Sequence, residues 1–317
     1  MHRCLVQSAR PELVEGRAVR LVVRRAHHER ERLDASHARH CQRAGLLAVF
    51  VAGVLMCWGA VSIGAQVQYA TGQNVAPVFE GWEHNPDGSY NFVFGYLNRN
   101  YEEELDIPVG TNNTVDMGGD AGQPTHFYSR RQRFIFRVVV PKDWDKNRKV
   151  TWTITSRGRT DVAKGWLQPE WELSEDVIVE NLGGGVPDPN NKPPTLTIAP
   201  ITPVMIPNVL SLVASATDDG LPKPQRRAAS NPNRDAQPRR PRGVDIKWIQ
   251  YRGPGPVTFT QDASPVVYGE PVALTTKATF TFSGTYVLRV TASDGQLYTR
   301  RDVTVTVNPP IPNQNAR

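Results

Sequence analysis

Gly284-Thr285-Tyr286-Val287-Leu288-Arg289-Val290-Thr291-Ala292 is the stretch that decides the fold. Tyr286, Leu288, Val290 and Ala292 point one way, and Thr285, Val287, Arg289 and Thr291 point the other. That period of two is a β-strand. The next strand repeats it, with Val303, Val305 and Val307 on one face and Thr304 and Thr306 opposite. Working outward, Phe92–Leu97, Phe134–Val140, Val150–Thr155, Leu210–Ala216 and Ala278–Phe282 are further short runs rich in β-branched and aromatic residues. Gly, Pro and Asn punctuate them. After Gln66 no run of ~10–12 residues keeps apolar positions at helical spacing. The chain therefore reads as all-β.

Two modules follow from the punctuation. Gly183-Gly184-Gly185-Val186-Pro187-Asp188-Pro189-Asn190-Asn191-Lys192-Pro193-Pro194 reads as a linker over 183–194, loosened by its glycines and stiffened by its prolines. Residues 195–308 then fit an immunoglobulin-like sandwich. Thr195–Ile198 would be its first strand and Leu210–Ala216 its second. Trp248 would sit at the core of the third, Asp245–Gln250. Tyr286 stands near the start of the penultimate strand, where such folds place a corner tyrosine. Leu288 takes the place a cysteine holds in disulfide-bonded relatives, so the core should be wholly apolar.

Here the residues resemble a family. Pro193-Pro194, Asp218-Asp219-Gly220-Leu221-Pro222, Gly253-Pro254-Gly255-Pro256-Val257-Thr258-Phe259 and Gly284 through Gly295 are similar to the PKD-like, Ig-fold modules of bacterial secreted and surface proteins. The aromatic-Gly-Asp-Gly loop of the typical PKD domain is missing after Trp248, which makes this a divergent PKD-like or cadherin-like member. The resemblance implies a spacer or an adhesive element. Residues 76–182 form the other module. Asn85-Pro86-Asp87-Gly88-Ser89-Tyr90 is a turn between aromatic strands. Phe94–Asn100, Ile107–Asn113, Gly122–Phe127, Phe134–Val138 and Val150–Ile154 follow it. Their order resembles a β-sandwich repeat of secreted bacterial surface proteins, although related repeats carry cysteines and this one has none.

The N-terminus reads as an address. Residues 45–65, GLLAVFVAGVLMCWGAVSIGA, carry no charge, follow Arg39 and Arg43 and end on small residues. That is the layout of a cleaved secretory signal peptide, here 37–65, with a retained anchor as the other reading. Residues 1–36 read as a mis-called gene start, since Ser8–Gly16 resembles a translated dispersed repeat, with a long basic extension of the signal as the other reading. The expected products are thus a leader (1–65), a short linker (66–75), the two modules and a tail (309–317). A bacterial secreted, periplasmic or cell-surface location follows, with membrane contact only through the leader.

Removing the leader changes the charge. The chain has 37 Lys and Arg against 31 Asp and Glu, a net +6. Residues 1–65 hold ten of those arginines, five acids, all three cysteines and five of seven histidines. What remains is nearly neutral, without cysteine, with His84 and His126. This argues against a disulfide framework, a cysteine zinc site, a cysteine nucleophile and a generally basic nucleic-acid binder. A Ser-His-Asp triad would have to use His84 or His126, and no Gly-x-Ser-x-Gly elbow accompanies either. Paired carboxylates for glycoside cleavage would come from Glu80, Glu83, Glu102, Glu103, Glu104, Glu170 and Glu172.

Three binding chemistries stay open. Asp188, Asn190 and Asn191 at the junction, with Asp218, Asp219 and Asp294 after two strands, offer oxygens suited to calcium; the plainer reading is a set of turns. No other cofactor is expected. Lys223, Arg226, Arg227, Arg234, Arg239, Arg240 and Arg242 make a basic insertion at 223–242. It reads either as a solvated disordered loop or as a polyanion contact, without the aromatics that stack bases. Trp144, in Pro141-Lys142-Asp143-Trp144-Asp145, is the candidate sugar platform, whereas Trp152 and Trp248 read as core. The function read from all this is non-enzymatic. It is a surface-associated binding or spacer protein acting on a protein or polysaccharide partner, with no specific nucleic acid. The alternatives are a carbohydrate-binding accessory module and a cryptic hydrolase.

Overall fold

A computed structural model describes residues 68–224 and 240–311 of the chain. The expected leader, the middle of the basic insertion (225–239) and the end of the tail lie outside the described residues. So do Arg226, Arg227, Arg234 and Arg239.

The protein is all-β, with two Ig-like sandwiches in tandem. The first contains β1 (Val75–His84), β2 (Tyr90–Asn98), β3 (Leu105–Asp106), β4 (Asn113–Val115), β5 (His126–Phe127), β6 (Arg130–Val140), β7 (Val150–Ser156) and β8 (Arg159–Gly165). One sheet has the order β1-β2-β6 and the facing sheet β4-β7-β8, with β3 and β5 paired at the side. β1 and β2 form the expected hairpin, closed by Asn85 N–H to Ser89 O at 2.8 Å with Gly88 at φ +84°. Aromatic side chains fill the space between the sheets. Phe136 meets Trp152 edge-on at 4.8 Å, and Phe94 stacks on Phe136 at 5.4 Å. Each large apolar side chain buried this fully contributes roughly 1.5–3 kcal/mol.

The second sandwich contains β9 (Thr195–Ile198), β10 (Val204–Met205), β11 (Leu210–Thr217), β12 (Asp245–Arg252), β13 (Val257–Phe259), β14 (Val272–Phe280), β15 (Gly284–Ser293) and β16 (Tyr298–Asn308). Its sheets run β10-β16-β15-β12 and β13-β14-β11-β9. β11 and β14 alternate buried and exposed residue by residue, as a sheet with one wet face must. Trp248, Tyr286, Leu288, Val290 and Ala292 are fully buried. The Tyr286 hydroxyl donates to Phe282 O at 2.9 Å, which makes the expected tyrosine corner.

Strand β15 departs from simple alternation. Arg289, on the face opposite Leu288, is also buried, and Val287 is half-buried. The first sandwich covers this face. Contact is made by two irregularities, one from each module. In β6, Phe94 pairs with Phe136 but Tyr96 pairs with Gln132, so residues 133–135 leave the ladder. Phe134 takes φ +52°, a costly conformation for a bulky side chain. The freed carbonyls of Phe134 and Ile135 accept from Arg300 Nη1 (3.0 Å) and Arg289 Nη1 (2.6 Å). Gly95 lies opposite this bulge. A Cβ there would overlap the Gln132 carbonyl and the Glu80 carboxylate, so the bulge needs glycine.

In β12 the register shifts between Gln250 and Arg252, and Tyr251 is the extra residue. Bulges re-aim side chains, and this one sends Tyr251 into the apolar cluster of the first sandwich. Its hydroxyl donates to Gly122 O, its carbonyl accepts from Thr125 N–H, and Gln250 N–H donates to the Tyr128 hydroxyl at 2.8 Å. Arg252 grips Asp120 with both terminal nitrogens at 2.6 and 2.7 Å.

The 183–194 segment is not the loose tether its glycines suggest. A short helix, α1 (Glu175–Asn181), capped by Ser174, leads into it. Gly184 O accepts from Arg242 and Gln296, Val186 O accepts from Gln296, and Gly183 O accepts from Arg240 N–H. The backbone groups that would leave such a segment free are thus occupied by the second module.

Candidate functional site

Beside the β6 bulge, the two sandwiches line an open cleft of about 680 Å³. Its floor is the outer face of the sheet holding β12, β15 and β16. Its wall is the segment entering β6 together with the end of α1. Among the described residues six cationic side chains line it, namely Arg131, Arg133, Arg240, Lys247, Arg289 and Arg300, against one carboxylate, Asp245.

These cations differ in how well the fold neutralises them. Arg131 pairs with buried Glu80 at 2.7 Å, and Arg289 holds Asp302 through two bonds at 2.6 and 2.8 Å. Burial pushes the Glu80 carboxyl up, and the Arg131 charge pulls against that. Lys247 meets Asp262 at 3.6 Å with both side chains exposed, a contact worth little. Arg240 stands 3.9 Å from Asp245 and donates to the Ser293 hydroxyl. Arg133 donates to the Asn181 side-chain oxygen at 3.0 Å. Arg300 donates to Phe134 O and lies 4.6 Å from the Tyr298 ring. Among the described residues neither Arg133 nor Arg300 has a carboxylate in ion-pair range, and the buried Nε of Arg300 finds no acceptor. Burial, with the like charges of Arg289 and Arg137 beside it, holds the Arg300 guanidinium below its ordinary range.

The expected site residues are distributed as follows. Of the basic insertion, Arg240 reaches the cleft, Arg242 bonds Gly184 O, and Lys223 borders a shallower groove beside Val186–Asn190. The junction loops do converge. Asn191 donates to Asp294 at 2.9 Å, Lys192 N–H donates to Asp219 at 3.2 Å, and Asp188 N–H donates to Gln296. Asn190 instead donates its N–H to Asp188 in a local turn. Burial pushes the Asp218 carboxyl up to about 6, and Asp294 and Asp219 add to the rise. Among the described residues no three His, Cys, Asp or Glu side chains converge on a metal position.

Trp144 is not an open sugar platform. Its side chain is 8% exposed, its Nε1 donates to Arg148 O, and the Arg148 guanidinium covers the ring at 4.1 Å. The loop folds back because that bond satisfies the indole N–H while the ring packs on Phe92 at 6.3 Å.

His126 is buried between Asp106 (2.8 Å to Nδ1) and Glu104 (3.0 Å to Nε2). Burial opposes its charge, but the hydrogen bonds from Asp106 and Glu104 outweigh that and lift its pKa to about 9. Both ring nitrogens are engaged, so the imidazolium pins β3 to β5. Glu83 is likewise held by Arg137 through two bonds, and Glu103 by Arg157.

Reasoning from the sequence missed the cleft. Its signal was present only as Arg289 and Arg300 at outward positions of interior strands, where a solvated face would look the same.

No family model and no curated protein matches the chain. Solved structures give distant likenesses. The fibronectin(III)-like modules of CbhA from Clostridium thermocellum align over 77% of this chain and 99% of that one, at 11% identity and a TM-score of 0.23. An endo-fucoidan hydrolase of glycoside hydrolase family 107 aligns over 72% of this chain at 11% identity and a TM-score of 0.22. The chain spans 27% of that enzyme. Three I-band immunoglobulin domains of titin align over 75% of this chain and 65% of that one, at 8% identity and a TM-score of 0.20. Likeness at this level carries no argument, and the sandwich assignment rests on strand order and register.

Proposed function

We propose that the protein is a non-enzymatic binding and spacing unit, secreted or held at a bacterial cell surface. Its two sandwiches hold one fixed orientation towards a protein or polysaccharide partner. The observation that carries this reading is Tyr251, a residue of the second module seated in the apolar cluster of the first. A spacer gains from such docking because orientation is then set by packing and not by a linker. The non-enzymatic part is supported by His126, whose two nitrogens are both occupied and which is charged at neutral pH. A triad base must be neutral with one nitrogen free. Small-angle scattering tests the reading. The expected profile fits a single rigid arrangement, and a profile that needs an ensemble of module orientations would contradict it.

A further inference from the structure

Among the described residues, the inter-module cleft carries more positive charge than the carboxylates beside it pair with. A buried cation without a counter-charge is costly, and one buried polar atom without a partner adds to the cost. Arg300 is half-buried, with a carbonyl as acceptor, a buried Nε that finds no partner and other guanidinium groups as neighbours, and the nearby Asp302 carboxylate is already held by two bonds from Arg289. Arg133, on the opposite wall, is tied only to the neutral Asn181 side chain. Two arginines from different modules thus face one cavity without carboxylate partners. Guanidinium forks recognise planar or tetrahedral oxyanions through paired hydrogen bonds.

The size and lining of the cleft narrow the ligand. A lone inorganic anion would leave most of its volume empty, and the volume lies within the ~300–1,000 Å³ span of small-ligand sites. Ser129, Gln132, Asn181, Thr291 and Ser293 line the same cleft and bring hydroxyl and amide groups, as a polyhydroxylated ligand requires. Ile135, Leu182 and Ile249 add apolar surface between the polar groups, as the faces of sugar rings require. Tyr128 turns its ring to His126 and its hydroxyl to Gln250, so it offers no face for base stacking.

We propose that this cleft binds an acidic oligosaccharide, with sulfate or carboxylate groups against Arg300 and Arg133 and ring hydroxyls against the side-chain amides and hydroxyls between them. This deepens the binding reading above and rests on it. It also centres the anion site on the sheet face and on β6, the described residues of the basic insertion contributing Arg240.

The test is calorimetric titration of the intact protein with a heparin octasaccharide, an oligogalacturonate of equal length and a neutral cello-oligosaccharide, in about 50 mM salt. At least one acidic glycan should bind, and the neutral one should not. Arg133→Gln and Arg300→Gln should each weaken that binding about tenfold or more. A variant with Arg226, Arg227, Arg234 and Arg239 changed to Gln should bind as the parent does. Arg133 is solvent-facing, so its variant keeps the test valid should Arg300→Gln melt early. The proposal is overturned if neither acidic glycan binds, or if the cleft variants bind unchanged. Loss of binding in the insertion variant, or equal binding of single-stranded DNA, would overturn it too. Release of reducing ends from a glycan would instead overturn the non-enzymatic reading, while absence of binding alone leaves the rigid spacer standing.

Discussion

The guanidinium carbon of Arg289 lies 3.6 Å from the centroid of the Tyr251 ring. Both residues belong to the second sandwich, yet both work in the first. Tyr251 enters its apolar cluster, and Arg289 donates to its Ile135 carbonyl. The cation over the ring keeps Tyr251 in place, and the two bonds to Asp302 keep the cation in place. Burial, only partly offset by the Arg289 charge, pushes the Tyr251 phenol up to about 12, so the ring is neutral at any physiological pH.

Tyr251→Ala should therefore cost about 3–5 kcal/mol, the usual penalty for emptying a large aromatic site. Tyr251→Phe keeps the ring and loses only the bond to Gly122, which should cost about 1 kcal/mol. Urea denaturation followed by tryptophan fluorescence separates the two. Equal costs would mean that the ring does not fill the first module's core.

His126 makes stability fall with rising pH. Its folded pKa is above its unfolded value of 6.5, so its contribution is complete below that value and disappears as pH climbs through about 9. The melting-temperature difference between the parent and His126→Gln should shrink steadily over this window. A difference independent of pH would show that His126 is not held as a cation.

Asp218 acts in the opposite part of the pH scale. Its raised pKa means that the folded state favours the protonated acid; stability is gained as pH falls from about 6 towards 3.8 and lost on the way back up. Asp218→Asn should melt above the parent at pH 7 and lose that advantage near pH 4. Asn can still accept the Gly220 N–H bond, so the comparison isolates the charge.

Gly95 tests the bulge in β6. Alanine there meets a backbone carbonyl that cannot swing aside, and the bulge must flatten or β2 must move. Gly95→Ala should destabilise the protein and, by shifting Phe134 and Ile135, weaken docking of the second module. A crystal structure of the variant with the Arg289 and Arg300 contacts intact would refute that link.

The inward half of the structure could be read from alternation. Tyr286, Leu288 and Trp248 were placed correctly because a period of two leaves few choices once one face is apolar. The outward half could not. Arg289 and Val287 look like solvated positions in sequence, and only the neighbouring sandwich makes them buried. Tyr251 was hidden for a related reason, since a bulge inverts the face on which an alternating residue falls. The linker misled because flexibility was inferred from glycine content, while its order comes from Gln296 and Arg242, far away in sequence. Trp144 misled because a place in the loop 141–145 does not reveal that Arg148, four residues on, covers the ring.

The central claim is that the two sandwiches are energetically one body. Native-state hydrogen exchange, read separately on β2 and on β15, measures this most directly. In the parent protein both strands should open with the same free energy and the same denaturant dependence. In Tyr251→Ala they should separate into two values. Two independent opening energies in the parent, unchanged by that substitution, would contradict it.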